Sequence, residues 1–157
     1  MAYIDVLPLA DVKTYLRVDD SLTEDNAGIT RMINTALSFI ERETNILVYQ
    51  RNVTYKAVNG CVRVYDTPID SVVTPADYDD DETKDFTTYS EYFYGSDTVD
   101  ITLNVGYVLP ADVPEELKQI ALEMVDLMYY KNEKNVKEKD IFDWAKQALF
   151  NYKRFIF

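Results

Sequence analysis

The strongest constraint in this chain is a change of hydrophobic period, from helical to alternating and back again. Residues 7–45 open with Leu7-Pro8-Leu9-Ala10-Asp11-Val12-Lys13-Thr14-Tyr15-Leu16-Arg17-Val18-Asp19-Asp20 and continue into a long amphipathic stretch. Pro8 suits a first helical turn, where its missing N–H has no partner to lose, and Leu9, Val12, Tyr15 and Leu16 follow at helical spacing, so a helix is expected over 8–17. Asp19 and Asp20 end it. Ser21-Leu22-Thr23-Glu24 has the form of a capping box, which predicts a second helix over 21–45. Its apolar stripe is Ile29, Met32, Ile33, Ala36, Leu37 and Ile40, and Asn45 is a candidate left-handed stop.

Beyond Asn45 the pattern alternates. Tyr49 to Val58 reads as a strand, Asn59-Gly60 as a two-residue type I′ turn and Cys61 to Tyr65 as the return strand. Pro68 to Val73 is a further short strand, followed by a polar segment from Thr74 to Lys84. Tyr89–Tyr94 and Val99–Val105 read as another antiparallel pair across Gly95-Ser96-Asp97. The β insert therefore spans 48–105, in a small sheet of four to six strands. Helical spacing returns at Asp112, the expected cap of a helix over 113–131 with the stripe Leu117, Ile120, Ala121, Met124, Leu127 and Met128. A lysine-rich connector then leads into a last helix over 140–152, using Ile141, Trp144, Ala145, Ala148 and Leu149. The expectation is one α+β domain over 1–157, with N- and C-terminal helices forming a helical bundle around an inserted small antiparallel β-sheet.

Composition narrows the functional classes. With no histidine in 157 residues, imidazole-based triads and the usual catalytic zinc sets are excluded, and the four glycines (Gly28, Gly60, Gly95, Gly106) are too scattered for a phosphate-binding loop. No catalytic, cofactor-binding or metal residue is therefore assigned. The single cysteine, Cys61, precludes an intramolecular disulfide, and the sequence contains neither a membrane-spanning apolar run nor a signal-peptide pattern at Met1–Asp5.

Charge is distributed unevenly. The chain carries 16 Lys+Arg against 28 Asp+Glu, a net charge of −12. Seven of those cations but only four of the acids fall in residues 131–157, so a mildly basic end is attached to a strongly acidic body. Asp77, Asp79, Asp80, Asp81, Glu82 and Asp85 form the densest acidic run. It fails as a calcium loop, because Glu82 stands where a tight turn needs glycine and Thr88 where the bidentate glutamate belongs. It reads instead as a solvated loop, as a loop facing a channel or a partner, or as a nonspecific cation site. At the other extreme, Phe150, Tyr152, Lys153, Arg154, Phe155, Ile156 and Phe157 make an aromatic, basic tail over 150–157 that needs burial, either on its own domain or in a partner's groove.

The segments "LADVKTYLRVDD" and "IERETN", the later "ITLNVGYVLPADVPEELKQIALEMVDLMYY" and the Lys/Asn-rich stretch after it resemble tailed-phage head–tail connector (adaptor, or head-completion) proteins of the gp6-like family. The likeness runs in order through residues 1–132; the acidic insert and the long aromatic end depart from the commoner pattern. What the resemblance implies is a structural virion protein without catalytic activity. It would form a homo-oligomeric, dodecameric ring under the portal vertex, join head to tail and extend a DNA channel that does not bind DNA specifically. Implied partners are the portal protein and a tail or second neck-ring protein. The implied location is the virion neck after synthesis in the bacterial host cytoplasm, with no cofactor and no membrane. On this reading the 150–157 tail docks on the portal and the acidic run faces the channel or the tail. Met32, Ile33, Leu37, Met124, Met128 and Tyr129 serve subunit packing. A rival expectation from charge alone is an acidic DNA-mimic or inhibitor protein that binds a host nucleic-acid enzyme.

Overall fold

A computed structural model describes residues 2–86, 89–94 and 98–152. The chain divides into two compact units. The first is helical and is assembled from both ends of the described chain, residues 2–44 and 109–152; the second, residues 45–108, holds the strands.

In the helical unit, a short α1 (Tyr3–Val6) and α2 (Leu9–Leu16) precede the long α3 (Asn26–Thr44), and α4 (Glu115–Tyr129) and α5 (Glu138–Ala148) follow the strand segment. The stripe foreseen on α3 is the one that packs: Ile29, Ile33, Ala36, Leu37 and Ile40 have no exposure, and α3 lies against α4. On α4, Leu117, Ala121, Met124 and Val125 are equally buried, and α5 adds Ile141 and Ala145 against the same helix. Burying a Leu, Ile or Met side chain contributes roughly 1.5–3 kcal/mol each, so this shared apolar seam dominates the stability of the unit.

Three helix starts differ from expectation. The helix predicted from Ser21 begins instead at Asn26, because the Ser21 hydroxyl and N–H both donate to Asp19 Oδ1, at 2.6 and 2.8 Å, and close a local turn. Those two bonds hold the Asp19 carboxyl below its ordinary range. Likewise Asp112 does not cap α4. It lies in a 3-10 turn, Pro110–Asp112, while Pro114 occupies the cap position and its carbonyl accepts the Leu117 N–H at 3.0 Å. The last helix starts at Glu138 rather than Asp140 and passes after Ala148 into a 3-10 turn, Phe150–Tyr152.

The break between α2 and α3 has a definite geometry. Arg17 adopts a left-handed conformation (φ 57°), with Arg17 N–H donating to Thr14 C=O and Val18 N–H to Lys13 C=O, the paired bonds of a Schellman stop. Lys13, only 3% exposed, turns its ammonium under the following loop and donates to the carbonyls of Asp20 (3.0 Å) and Leu22 (2.8 Å). A residue that reads as an ordinary solvated lysine is thus the internal tie of the "LRVDD" break.

The strand unit contains two three-stranded antiparallel sheets rather than one inserted sheet. Strands β1 (Arg51–Lys56), β2 (Cys61–Val64), β3 (Ile69–Thr74), β4 (Thr83–Asp85), β5 (Ser90–Phe93) and β6 (Asp100–Val105) pair in the orders β1-β6-β3 and β2-β5-β4. The Asn59-Gly60 turn is present, with both residues at positive φ and reciprocal bonds between Val58 and Cys61, but the hairpin ends there. β1 runs the length of β6, from Arg51↔Val105 to Lys56↔Asp100, and β2 pairs with β5. The expected pairing of the 89–94 and 99–105 strands is likewise replaced, since β5 and β6 belong to different sheets; their proposed turn at 95–97 lies outside the described residues. β4 falls at the end of a segment expected to be loop. The physical reason is the alternation on β6. Its Ile101, Leu103 and Val105 are fully buried, and a central position between β1 and β3 satisfies both backbone edges of that strand. They join Leu47, Ala57, Val62, Val64 and Tyr92 in one core.

Gly106 ends β6 at φ +107° and brings the backbone against residues 47–50. A Cβ there would stand 2.2 Å from the Tyr49 carbonyl oxygen, inside the segment where Tyr107 N–H donates to Leu47 C=O and Gln50 N–H to Tyr107 C=O. Gly106→Ala is therefore expected to destabilise the protein by about 2 kcal/mol or more in urea denaturation, since both the left-handed φ and the backbone clash oppose a side chain. Lys13→Met is expected to cost about 1–3 kcal/mol in the same assay, by leaving two loop carbonyls without their charged donor.

Candidate functional site

The chemistry available on the surface can be judged from where the expected functional side chains lie. Asp77, Asp79, Asp80, Asp81, Glu82 and Asp85 are all exposed. Asp80–Glu82 form one 3-10 turn, begun by Asp79, whose Oδ1 accepts the Asp81 N–H at 3.1 Å. Tyr78 anchors this turn from beneath, its ring 5.7 Å from Tyr92 and 6.4 Å from Tyr94, and burial pushes its hydroxyl up. The acids project outward from an aromatic footing. Among the described residues no group of three His, Cys, Asp or Glu is placed to hold a metal ion.

The residues expected to pack subunits separate into two sets. Ile33, Leu37 and Met124 have no exposure and lie inside the helical unit, so they have no surface to offer a second chain. Met32, Met128 and Tyr129 are partly exposed. Tyr129 and its neighbour hold the unit together: Tyr129 Oη donates to Asp25 Oδ2 at 2.7 Å, Tyr130 Oη donates to the Leu16 carbonyl at 2.7 Å, and the two rings meet edge to face at 4.9 Å. Lys134 pairs with Asp126 and sits 5.4 Å over the Tyr130 ring. The end of α4 is thereby stitched to the loop that Lys13 supports. The bond to Asp25, and secondarily burial, push the Tyr129 hydroxyl up to about 12.

Of the aromatic tail, Phe150 is 60% exposed and Tyr152 is half-buried, while Lys153, Arg154, Phe155, Ile156 and Phe157 lie outside the described residues. Tyr152 forms part of the wall of an open groove between α4 and the end of α5.

A second surface has no counterpart in the linear pattern. On the outward face of the β2-β5-β4 sheet, Arg63 Nε donates to Glu91 at 2.7 Å and its guanidinium lies 5.2 Å over Tyr89, which stacks on Phe86 at 4.8 Å. Lys84 stands 4.9 Å over Phe93. These residues come from three separate strands, and only the register Arg63↔Glu91↔Lys84 brings them together. Both cations are already engaged with rings or a carboxylate, so the face offers no row of free cations for phosphates.

No family model matches the chain, and no curated protein matches it. Among solved structures it is similar to a chain from the neck of an empty gene transfer agent (GTA) particle, computed with C6 symmetry, with a TM-score of 0.74 and 15% identity over 100% of this chain and 94% of that one. It is also similar to a chain from the virion of a native GTA particle, with a TM-score of 0.67 and 15% identity over 97% of this chain and 91% of that one. The fold is shared along the whole chain with a protein of a particle neck.

The Tyr129–Asp25 bond gives a pH signature. A tyrosine whose value is raised on folding stabilises fully below its unfolded value of 10 and loses that contribution as pH rises through about 12. Tyr129→Phe is expected to lower the urea midpoint below pH 10, and the gap to the unsubstituted protein should close as pH approaches 12. A gap that is constant with pH would remove Asp25 as the partner that matters.

Proposed function

We propose that this protein is a structural component of a virion neck, forming a ring beneath the portal vertex that joins head to tail and extends the DNA channel. The observation that carries the reading is the fold shared over the full chain with a neck protein of a GTA particle. The sequence resemblance to head–tail connectors points the same way, on the motifs at 9–20 and 101–130.

Ring formation by one kind of chain joins two different patches of the surface head to tail. In this reading the partly exposed Met32, Met128 and Tyr129 lie at or beside the subunit seam. Ile33, Leu37 and Met124 contribute by building the frame behind it. A dodecamer is compatible with the sixfold symmetry of the GTA neck. A chain of net charge −12 repels phosphates, which suits a channel through which DNA must slide without being held. The outward acids at 77–85 face the lumen or the next protein toward the tail. The aromatic, basic segment 150–157 docks on the portal. No cofactor and no catalytic residue takes part, and among the described residues no helix is long and apolar enough to cross a membrane. The place of action is the neck of the particle, after synthesis in the host cytoplasm.

Negative-stain imaging of the purified protein, alone and with portal rings from the same particle, tests this directly. The expected outcome is closed rings, seated coaxially on the portal when it is present, with labelled antibody marking the neck of intact particles. Removing residues 153–157 is expected to preserve the fold and abolish portal attachment. A monomer that is absent from particles and binds a host nuclease would overturn the proposal in favour of the acidic-inhibitor reading.

A further inference from the structure

Within the helical unit, the groove between α3 and α5 has a charge opposite to that of the chain as a whole. Arg31, Thr35, Ser38 and Arg42 follow on α3 at i, i+4, i+7 and i+11, a spacing that puts two cations and two hydroxyls on one helix face with no carboxylate among them. Between this face and α5 lies a cleft of about 350 Å³, lined by Thr35, Ser38, Phe39, Arg42, Phe142 and Lys146. Its floor is aromatic, with Phe39 only 5% exposed and 4.9 Å from Phe142. Its rim is cationic. The Arg42 guanidinium lies 5.1 Å over Phe39, and Glu43, at 3.7 Å, is beyond hydrogen-bond reach. Lys146 is exposed and has no ion-pair or hydrogen-bond partner among the described residues. The Thr35 and Ser38 hydroxyls donate to the carbonyls of Arg31 (2.9 Å) and Thr35 (3.1 Å), so the donors left for a partner are the two cations. A cleft near the lower end of the roughly 300–1,000 Å³ usual for binding sites takes a small knob rather than a whole helix.

The same helical unit carries a knob of matching chemistry. Leu109 is 56% exposed and opens the 3-10 turn Pro110–Asp112, its carbonyl accepting the Asp112 N–H at 3.0 Å. Val113, 1% exposed, fastens this turn to the core and leaves Leu109 outside. Beside Leu109 in the chain are Asp112 and Glu116, both exposed and without an ion-pair partner among the described residues, whereas Glu115 pairs with Lys118 at 2.8 Å. One apolar side chain near two unpaired acids complements an aromatic floor under two cations. The turn is not part of the groove's own lining and is held in place by Val113, so the occupant is the turn of another copy.

We propose that the α3–α5 groove receives residues 109–116 of a second copy of this chain, with Leu109 over Phe39 and Phe142 and with Asp112 and Glu116 on Arg42 and Lys146. The inference rests on the ring reading and names two of the surfaces that close the ring. Turn and groove are unlike, so each copy keeps one of them free to pass the contact on. A contact this small anchors a seam without supplying all of its area. Met32, which precedes Thr35 and Phe39 by three and seven residues on α3, continues the seam along the same helix face.

The test uses the full-length chain and two charge-reversed variants, Arg42→Glu/Lys146→Glu and Asp112→Lys/Glu116→Lys, imaged in negative stain and followed by sedimentation velocity, with portal rings present and absent. Each variant alone is expected to need about tenfold or more protein than the unsubstituted chain to assemble, because like charges then face each other. An equimolar mixture of the two is expected to assemble as readily as the unsubstituted chain: reversed groove meets reversed turn at one contact, and original turn meets original groove at the next. A defect in folding gives no such rescue. Rings from either variant alone at the original concentration, or a mixture that stays unassembled, would overturn the proposal and leave the neck assignment standing. An unsubstituted chain that forms no ring, with or without portal, overturns both. Should either variant unfold, Ser38→Cys and Leu109→Cys chains are mixed and treated with a short bismaleimide. Covalent dimers beyond those of either chain alone support the contact, and their absence overturns it.

Discussion

The apolar stripe of α3 must be covered, and the helix that covers it lies on the other side of the strand segment. Ile29, Ile33, Leu37 and Ile40 need a complementary surface, and α4 provides Leu117, Ala121 and Met124, all without exposure. The helical unit therefore cannot be completed from one end of the chain. It requires the strand segment to begin and end so that the chain returns, and the two boundary devices serve that need. Asn45 takes the left-handed conformation that stops α3, and Gly106 allows the backbone leaving β6 to pass against residues 47–50. Once α4 is seated, Tyr129, Tyr130 and Lys13 fix the loop between α2 and α3 from two sides.

This arrangement separates scaffold from recognition. The residues with the clearest sequence signal, the stripes of α3 and α4, are spent inside the unit, which is why Ile33, Leu37 and Met124 are unavailable to a neighbouring subunit. What remains outside is chemically diverse: an acidic turn on an aromatic footing, a sheet face of ring-engaged cations, and a groove with an acidic rim. On the neck reading proposed above, the chain has to meet copies of itself and different proteins above and below, and unlike patches on one frame suit that demand.

Helices were legible because their period is local. The stripes at Ile29–Ile40 and Leu117–Met124 follow from spacing alone, and so does the type I′ turn at Asn59-Gly60. Strand partners were not. The turn suggested that β1 and β2 form one ladder, yet β6, with Ile101, Leu103 and Val105 facing inward, draws β1 and β3 to its two edges and leaves β2 to β5. Sequence proximity favours a hairpin, but burial of the most apolar strand favours long-range pairs. The Ser21 capping box failed for a different reason, since Asp19 lies two residues away and competes for the serine hydroxyl.

By itself, then, the sequence determined the helical frame, its interruption by strands, the absence of imidazole chemistry and the outward acidic character of residues 77–85. Those properties depend on residue type and on spacing within one element. Tertiary structure alone decided that there are two sheets, that Lys13 is an internal tie, that Tyr129 and Tyr130 clamp a loop, and that Tyr152 borders a groove rimmed by Glu115 and Glu116. Each of these joins residues far apart in the chain, and the register and packing that bring them together are set by how the whole core closes.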